Sequence, residues 1–145
     1  MLQQDRYACT AACLQLTFFV RFADSGTLVP LSTHPCLPDD VATGVGGTSF
    51  CAAIRVSADG AFVFCSNRGH DSICTFCTLP DGGLEFVAHS STLGHIPRDF
   101  TLVGGIAIVA NQVLACIARM GVAPRSTTPR PQIVQLAPWS HPQFR

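Results

Sequence analysis

Short runs of alternating apolar and polar residues, each closed by a turn rich in Gly and Asp, mark most of this chain. Residues 14–22, "LQLTFFVRF", and residues 27–34, "TLVPLSTH", flank "ADSG", which is a β-hairpin signal. After the looser "PCLPDDVATGVGGTS" the rhythm returns. "FCAAIRV" precedes "SADG", "AFVFCSN" precedes "RGHD", and "SICTFCTL" precedes "PDGG" and then "LEFVAHSS". The spacing predicts four consecutive antiparallel strands over residues 50–92. "DFTL" and "IAIVANQ", either side of "VGG", predict two more.

Four strands in that span match the size of one propeller blade, about 40–50 residues. The expected fold is all-β, a partial β-propeller with one complete four-stranded blade at about 50–92 and an incomplete blade on each side. The first hairpin reads as the last two strands of a preceding blade, and residues 99–112 as the first two of a following one. Residues 1–112 are thus assigned to the partial propeller. Residues 113–145 read as a divergent, Pro-rich, poorly ordered tail, because "GVAPRSTTPRPQIVQLAPWSHPQFR" shows no sustained alternation and Pro cannot donate to a ladder.

Composition narrows the class. The 145 residues suffice for one domain, and 9 basic against 9 acidic side chains give no electrostatic footprint for nucleic acid or an anionic membrane. The stretch "VGGIAIVANQVLACIARMGVA" is apolar enough to raise a membrane span, but Asn111, Gln112 and Arg119 would have to enter the bilayer, so no membrane partner is expected. Eight cysteines without a secretory leader point to a reducing cytosol in which thiols behave as small buried hydrophobes.

Strand order sorts the polar turns. In an up-and-down blade the first and third turns lie at one end, and the second turn and the link to the next blade at the other. "SADG" and "PDGG" therefore share one rim. "RGHD" and "STLGHIPRD" share the opposite one, which gathers Arg68, His70, Asp71, His95, Arg98 and Asp99. Loops at one end of a β scaffold commonly carry sites.

These residues carry a resemblance. "GTLVPLST", "IRVSADGAFVFCSNRGHDSI", "DGGLEFVAHSSTLGHIPRDF" and "VANQ" together resemble the seven-bladed lactonase family, the propeller-type 6-phosphogluconolactonases related to muconate-lactonising cycloisomerases. The likeness runs over about residues 14–112, with "SNRGHDSI" and "PRDF" its most specific parts. It implies a cytosolic enzyme of the pentose phosphate pathway that hydrolyses 6-phosphogluconolactone without a metal or other cofactor. The family's ring needs seven blades, and this chain supplies about two, so it reads as a fragment. It also departs from the family pattern at Ala53, where members often carry a Glu before the Ile.

Lactone hydrolysis needs a base to activate water and cations or donors for the oxyanion and the phosphate. On the resemblance, His70 is the base, oriented by Asp71, with Arg98 completing the catalytic set. Arg68, Arg55 and His95 bind substrate, a sugar-phosphate lactone. The plainer alternative stays open: Asp71 caps the turn, Arg68 pairs with it and His70 is exposed. Arg55 lies mid-strand, where it either faces the channel or is a paired arginine.

No metal site is expected. Cys74 and Cys77 form a CxxC, but residues three apart on a strand face opposite ways and no other pair completes four ligands. Cys9 and Cys13 likewise lack partners, and His34 and His89 belong to no constellation. "WSHPQF" resembles an engineered streptavidin-binding tag and carries no biological role here. The competing class is a non-catalytic β-fragment that binds sugar phosphates or self-associates through open sheet edges.

Overall fold

A computed structural model describes residues 6–9, 16–22, 28–38, 49–103, 106–113, 117–121 and 133–135. The "ADSG" turn, Cys13, most of the loop after Pro38, and "WSHPQF" lie outside the described residues. Three antiparallel sheets follow one another along the chain. The first joins β1 (Arg6–Cys9), β2 (Leu16–Phe22) and β3 (Leu28–Pro35) in that order. The second holds β4 (Phe50–Val56), β5 (Phe62–Arg68), β6 (Ser72–Thr78) and β7 (Leu84–Ser91), again in chain order. The third holds β8 (His95–Val103), β9 (Ile106–Val113), β10 (Ile117–Gly121) and β11 (Ile133–Gln135).

The third sheet therefore has four strands where the alternation predicted two. Both additional strands fall in the stretch read as tail: β10 pairs with β9 through Ile117↔Ala110 to Gly121↔Ile106, and β11 pairs with β10. The apolar stretch that raised a membrane span is here divided between β9 and β10. Among the described residues no helix is long and apolar enough to cross a membrane.

Sheet stacking explains the burial. β4 and β5 pack against β8, and β1 packs against β4 as β5 packs against β8, which gives β1 the second place in its blade. The middle sheet is consequently covered on both faces. Successive residues of a strand point to opposite faces, and β5 shows it: Phe62 and Phe64 enter a core with Ala53, Ile73, Phe100, Ala107 and Val109 between the second and third sheets. Val63 and Cys65 enter another with Cys36, Cys51, Cys74, Phe76 and Leu84. All of residues 61–67 are buried.

Several polar groups inside this sheet are satisfied locally, while among the described residues the buried Ser90 hydroxyl and Arg68 Nε have no hydrogen-bond partner. The Ser66 hydroxyl accepts from the Ala53 N–H at 3.0 Å, and the Asn67 amide donates to the Cys36 carbonyl at 2.6 Å and to the Ser72 hydroxyl at 3.3 Å. The two Asp-Gly turns use one device. The Gly60 N–H donates to the Ser57 carbonyl and the Gly82 N–H to the Leu79 carbonyl, with φ of 70° and 84° at the glycines. Left-handed backbone of this kind costs a side chain and suits Gly. Thr78 ties the two turns together, its N–H donating to the Ala61 carbonyl and its hydroxyl to the Gly60 carbonyl. They do share a rim.

Candidate functional site at the opposite rim

The other rim is organised by Asp71. Its backbone is left-handed, φ 56°, a conformation Asp tolerates better than most residues. Its carbonyl accepts from both the N–H and the hydroxyl of Thr92, at 2.9 Å each, so the β5–β6 turn grips the link to the third sheet. Its carboxylate does the same further along. Oδ1 accepts from the Ile96 N–H at 2.8 Å and the Gly69 N–H at 3.2 Å, and Oδ2 lies 2.7 Å from His95 Nδ1. Burial opposes ionisation of Asp71, but the hydrogen bonds from His95, Ile96 and Gly69 outweigh it and hold the carboxyl below its ordinary range.

The link is itself strained. Leu93 and Ile96 both have positive φ, 55° and 58°, and a β-branched residue there is a true outlier. Asp71 and Asn111, whose amide donates to the Thr92 carbonyl at 3.0 Å, hold it from either sheet. After Pro97 a bulge breaks the register with β9, so that Arg98 and Asp99 are both exposed between buried Pro97 and Phe100. The Arg98 Nε donates to the Gln112 side-chain oxygen.

Of the residues that strand order assigned to the rim, Asp99 lies further along β8, ion-paired with Arg55; the others stay toward the rim but pair differently from the expectation. Asp71 does not orient His70; its carboxylate is committed to His95, Ile96 and Gly69. The His70 ring turns the other way, sharing a 2.7 Å hydrogen bond with the Ser72 hydroxyl and meeting the His89 ring edge-on at 5.7 Å. Neither does Arg68 pair with Asp71. Its guanidinium lies over Phe50, 5.6 Å from the ring centroid, and donates to the Cys51 carbonyl at 3.4 Å.

Arg55 stands apart from this group. It lies toward the far end of β4, paired with Phe64 in register, whereas Phe50 pairs with Arg68 at the rim. Its guanidinium donates to Asp99 Oδ1 at 2.6 Å and sits 5.7 Å from the Phe100 centroid, joining the inner strands of two sheets. Ala53 is buried in the core between those sheets, so that position does not open onto the rim. Cys74 and Cys77 pack against opposite cores, as their spacing requires.

Two partnerships were not read from the sequence. Gln112 supports Arg98 from the neighbouring strand, a contact visible only once the β8–β9 register is known. His34 and His89, assigned to no constellation, line one cleft of about 400 Å³ with Phe76 and Phe86 on the outer strands.

His95 is the rim's most serviceable group. With Nδ1 against a carboxylate, its Nε2 faces away from Asp71 on a side chain 61% exposed. A carboxylate on one ring nitrogen fixes the tautomer that leaves the other a base, the arrangement of many hydrolytic sites. Of the rim's basic side chains only His95 contacts Asp71; Arg68 is held at Phe50 and Cys51, Arg98 at Gln112, and His70 at Ser72 and His89.

Comparison with known proteins bears on this arrangement. The family model described as "Lactonase, 7-bladed beta-propeller" matches residues 11–133. The protein YwcC of Lactococcus lactis is 45% identical over 78 residues, 53% of this chain and 22% of the relative. The periplasmic gluconolactonase PpgL of Pseudomonas aeruginosa superposes with a TM-score of 0.69 at 28% identity, over 86% of this chain and 35% of its own. A candidate 6-phosphogluconolactonase of Bacteroides uniformis superposes with a TM-score of 0.67 at 25% identity, over 83% of this chain and 33% of its own. The chain spans about a third or less of the length of these proteins.

Proposed function

The chain belongs to the seven-bladed β-propeller lactonase family, and from that premise we propose that its Asp71–His95 rim is one sector of a site that hydrolyses sugar-phosphate lactones. 6-Phosphogluconolactone is the substrate we assign. The observation that carries the reading is the 2.7 Å Asp71–His95 contact, which leaves Nε2 of an exposed imidazole as a base three residues from Arg98.

In this scheme water attacks the lactone carbonyl while His95 Nε2 accepts its proton. Arg98 stabilises the oxyanion, and the ring oxygen leaves as a hydroxyl, taking the proton back from His95. Lactone and water give the hydroxy acid, with no redox change. Arg68, at the same rim, serves the phosphate, since guanidinium binds its oxygens in pairs. His95 thus takes the role that the resemblance gave to His70.

A direct assay of lactone opening, with product acid followed by enzymatic coupling, tests the proposal on the folded chain. The expected result is turnover above the spontaneous rate that falls at least about 100-fold in His95→Asn, in line with the usual worth of a positioned base, and little in His70→Asn. Decay at the spontaneous rate in the presence of folded protein sinks it. Calorimetry with 6-phosphogluconate then distinguishes a non-catalytic sugar-phosphate-binding sector, which would bind without turnover, from a fragment that does neither.

A further inference from the structure

Away from the rim, three cysteines from separate segments meet inside the protein. Cys36 follows β3, Cys51 is on β4 and Cys65 is on β5. Their Sγ atoms all lie within 4.8 Å of one another, and the residues are 0%, 8% and 0% exposed. We propose that Cys36, Cys51 and Cys65 form a three-sulfur site for a soft monovalent metal ion, Cu(I).

The donor set and its surroundings select the ion. A trigonal ion with metal–sulfur bonds of about 2.3 Å sets its sulfurs about 4 Å apart, so the trio needs only a small contraction. Among the described residues the same core holds Val63, Phe76, Leu84 and Ile54, and the oxygens beside the trio are neutral amide and carbonyl groups rather than the carboxylates a hard cation favours. A dry all-sulfur site of three ligands is poorly matched to tetrahedral Zn(II) and suits an ion content with two or three thiolates.

The backbone around the trio is fixed independently of the thiols. Asn67 Nδ2 donates to the Cys36 carbonyl at 2.6 Å, and His89 Nε2 lies 2.9 Å from the same oxygen. Arg68 donates to the Cys51 carbonyl, which brings a guanidinium close to a site that becomes anionic. Binding releases protons from two thiols to solvent while the third remains a neutral donor, leaving one net negative charge. The Cys51 thiol, 3.6 Å from Asn67 Oδ1, gives up that weak bond.

The test is an anaerobic titration of the reduced full chain with Cu(I) against a chromophoric Cu(I) chelator. The expected result is one equivalent withheld, sulfur-only coordination by X-ray absorption, and a loss of at least about 100-fold in affinity for each of Cys36→Ala, Cys51→Ala and Cys65→Ala. Cys77→Ala, from outside the trio, retains it. A variant-free measurement guards against misfolding: in the wild-type chain opened by moderate urea, Cu(I) should slow the alkylation of these three cysteines relative to the metal-free chain, as mapped by mass spectrometry. If the chelator removes all the copper at equimolar concentration, or the shielded cysteines are others, the trio is apolar core packing alone.

Discussion

Asp71→Ala tests the claim that one carboxylate fastens the second sheet to the third. Its bond to the Ile96 N–H, 2.8 Å long with a charged acceptor, is worth about 1.5–3 kcal/mol. The partly exposed His95 pair adds about 0.2–1 kcal/mol, and the left-handed backbone at residue 71 costs Ala about 1 kcal/mol. The expected loss is about 3–4 kcal/mol, read from urea denaturation at neutral pH. Asp71→Asn tolerates the same backbone and keeps a neutral acceptor, so it should lose roughly half as much or less. The pH dependence supplies a second check. Because the folded carboxyl ionises below its unfolded value of about 3.9, its contribution is complete above that pH and is lost as pH falls through the folded value. Wild-type stability should therefore fall more steeply below about pH 4 than that of Asp71→Asn. An Asp71→Ala loss under about 0.5 kcal/mol, or parallel acid profiles, would refute the fastening role.

Three further perturbations probe the scaffold. Gly60→Ala and Gly82→Ala should each cost about 1–2 kcal/mol of unfolding free energy, read from urea denaturation, a backbone penalty alone, since an added Cβ meets nothing within 4 Å at either turn. Phe76→Ala, at the largest fully buried side chain, should cost about 3–5 kcal/mol and leave a cavity that Phe76→Leu largely avoids. The Arg55–Asp99 pair has side chains 40% and 63% exposed, so a double-mutant cycle with Arg55→Gln and Asp99→Asn should return a coupling under about 1 kcal/mol that shrinks further in 1 M salt.

Much of this fold could be read from residue order. β4 and β7 have the predicted bounds, and the turns "SADG", "RGHD" and "PDGG" fall where Gly and Asp placed them, because turn chemistry is local. β10 and β11 were missed for the complementary reason: "IARMG" and "IVQ" are too short to show a period, and "IVQ" follows two prolines, so only the pairing of β10 with β9 and of β11 with β10 defines them. Rim membership was also legible, since it follows from strand order. Which side chain meets which was not. His70 and Asp71 are neighbours in sequence, yet the left-handed turn at Asp71 sends one ring to His89 and the other group to His95. The cysteine trio has no regular spacing and is visible only in three dimensions.

The double burial of β5 bears on how this sheet finds its alignment. In a strand with one wet face, sliding by a residue exposes the apolar set and is strongly penalised. β5 is apolar on both faces, so hydrophobicity scarcely distinguishes the native alignment from one shifted by a residue. Ser66 and Asn67 make that distinction, because a slip would strand the Ala53 N–H and the buried Asn67 amide without their partners. These two small polar residues act as indexing marks on an otherwise featureless rail. Exchanging them for Val and Leu would preserve the core's oiliness while inviting frame-shifted pairings that fold slowly and aggregate.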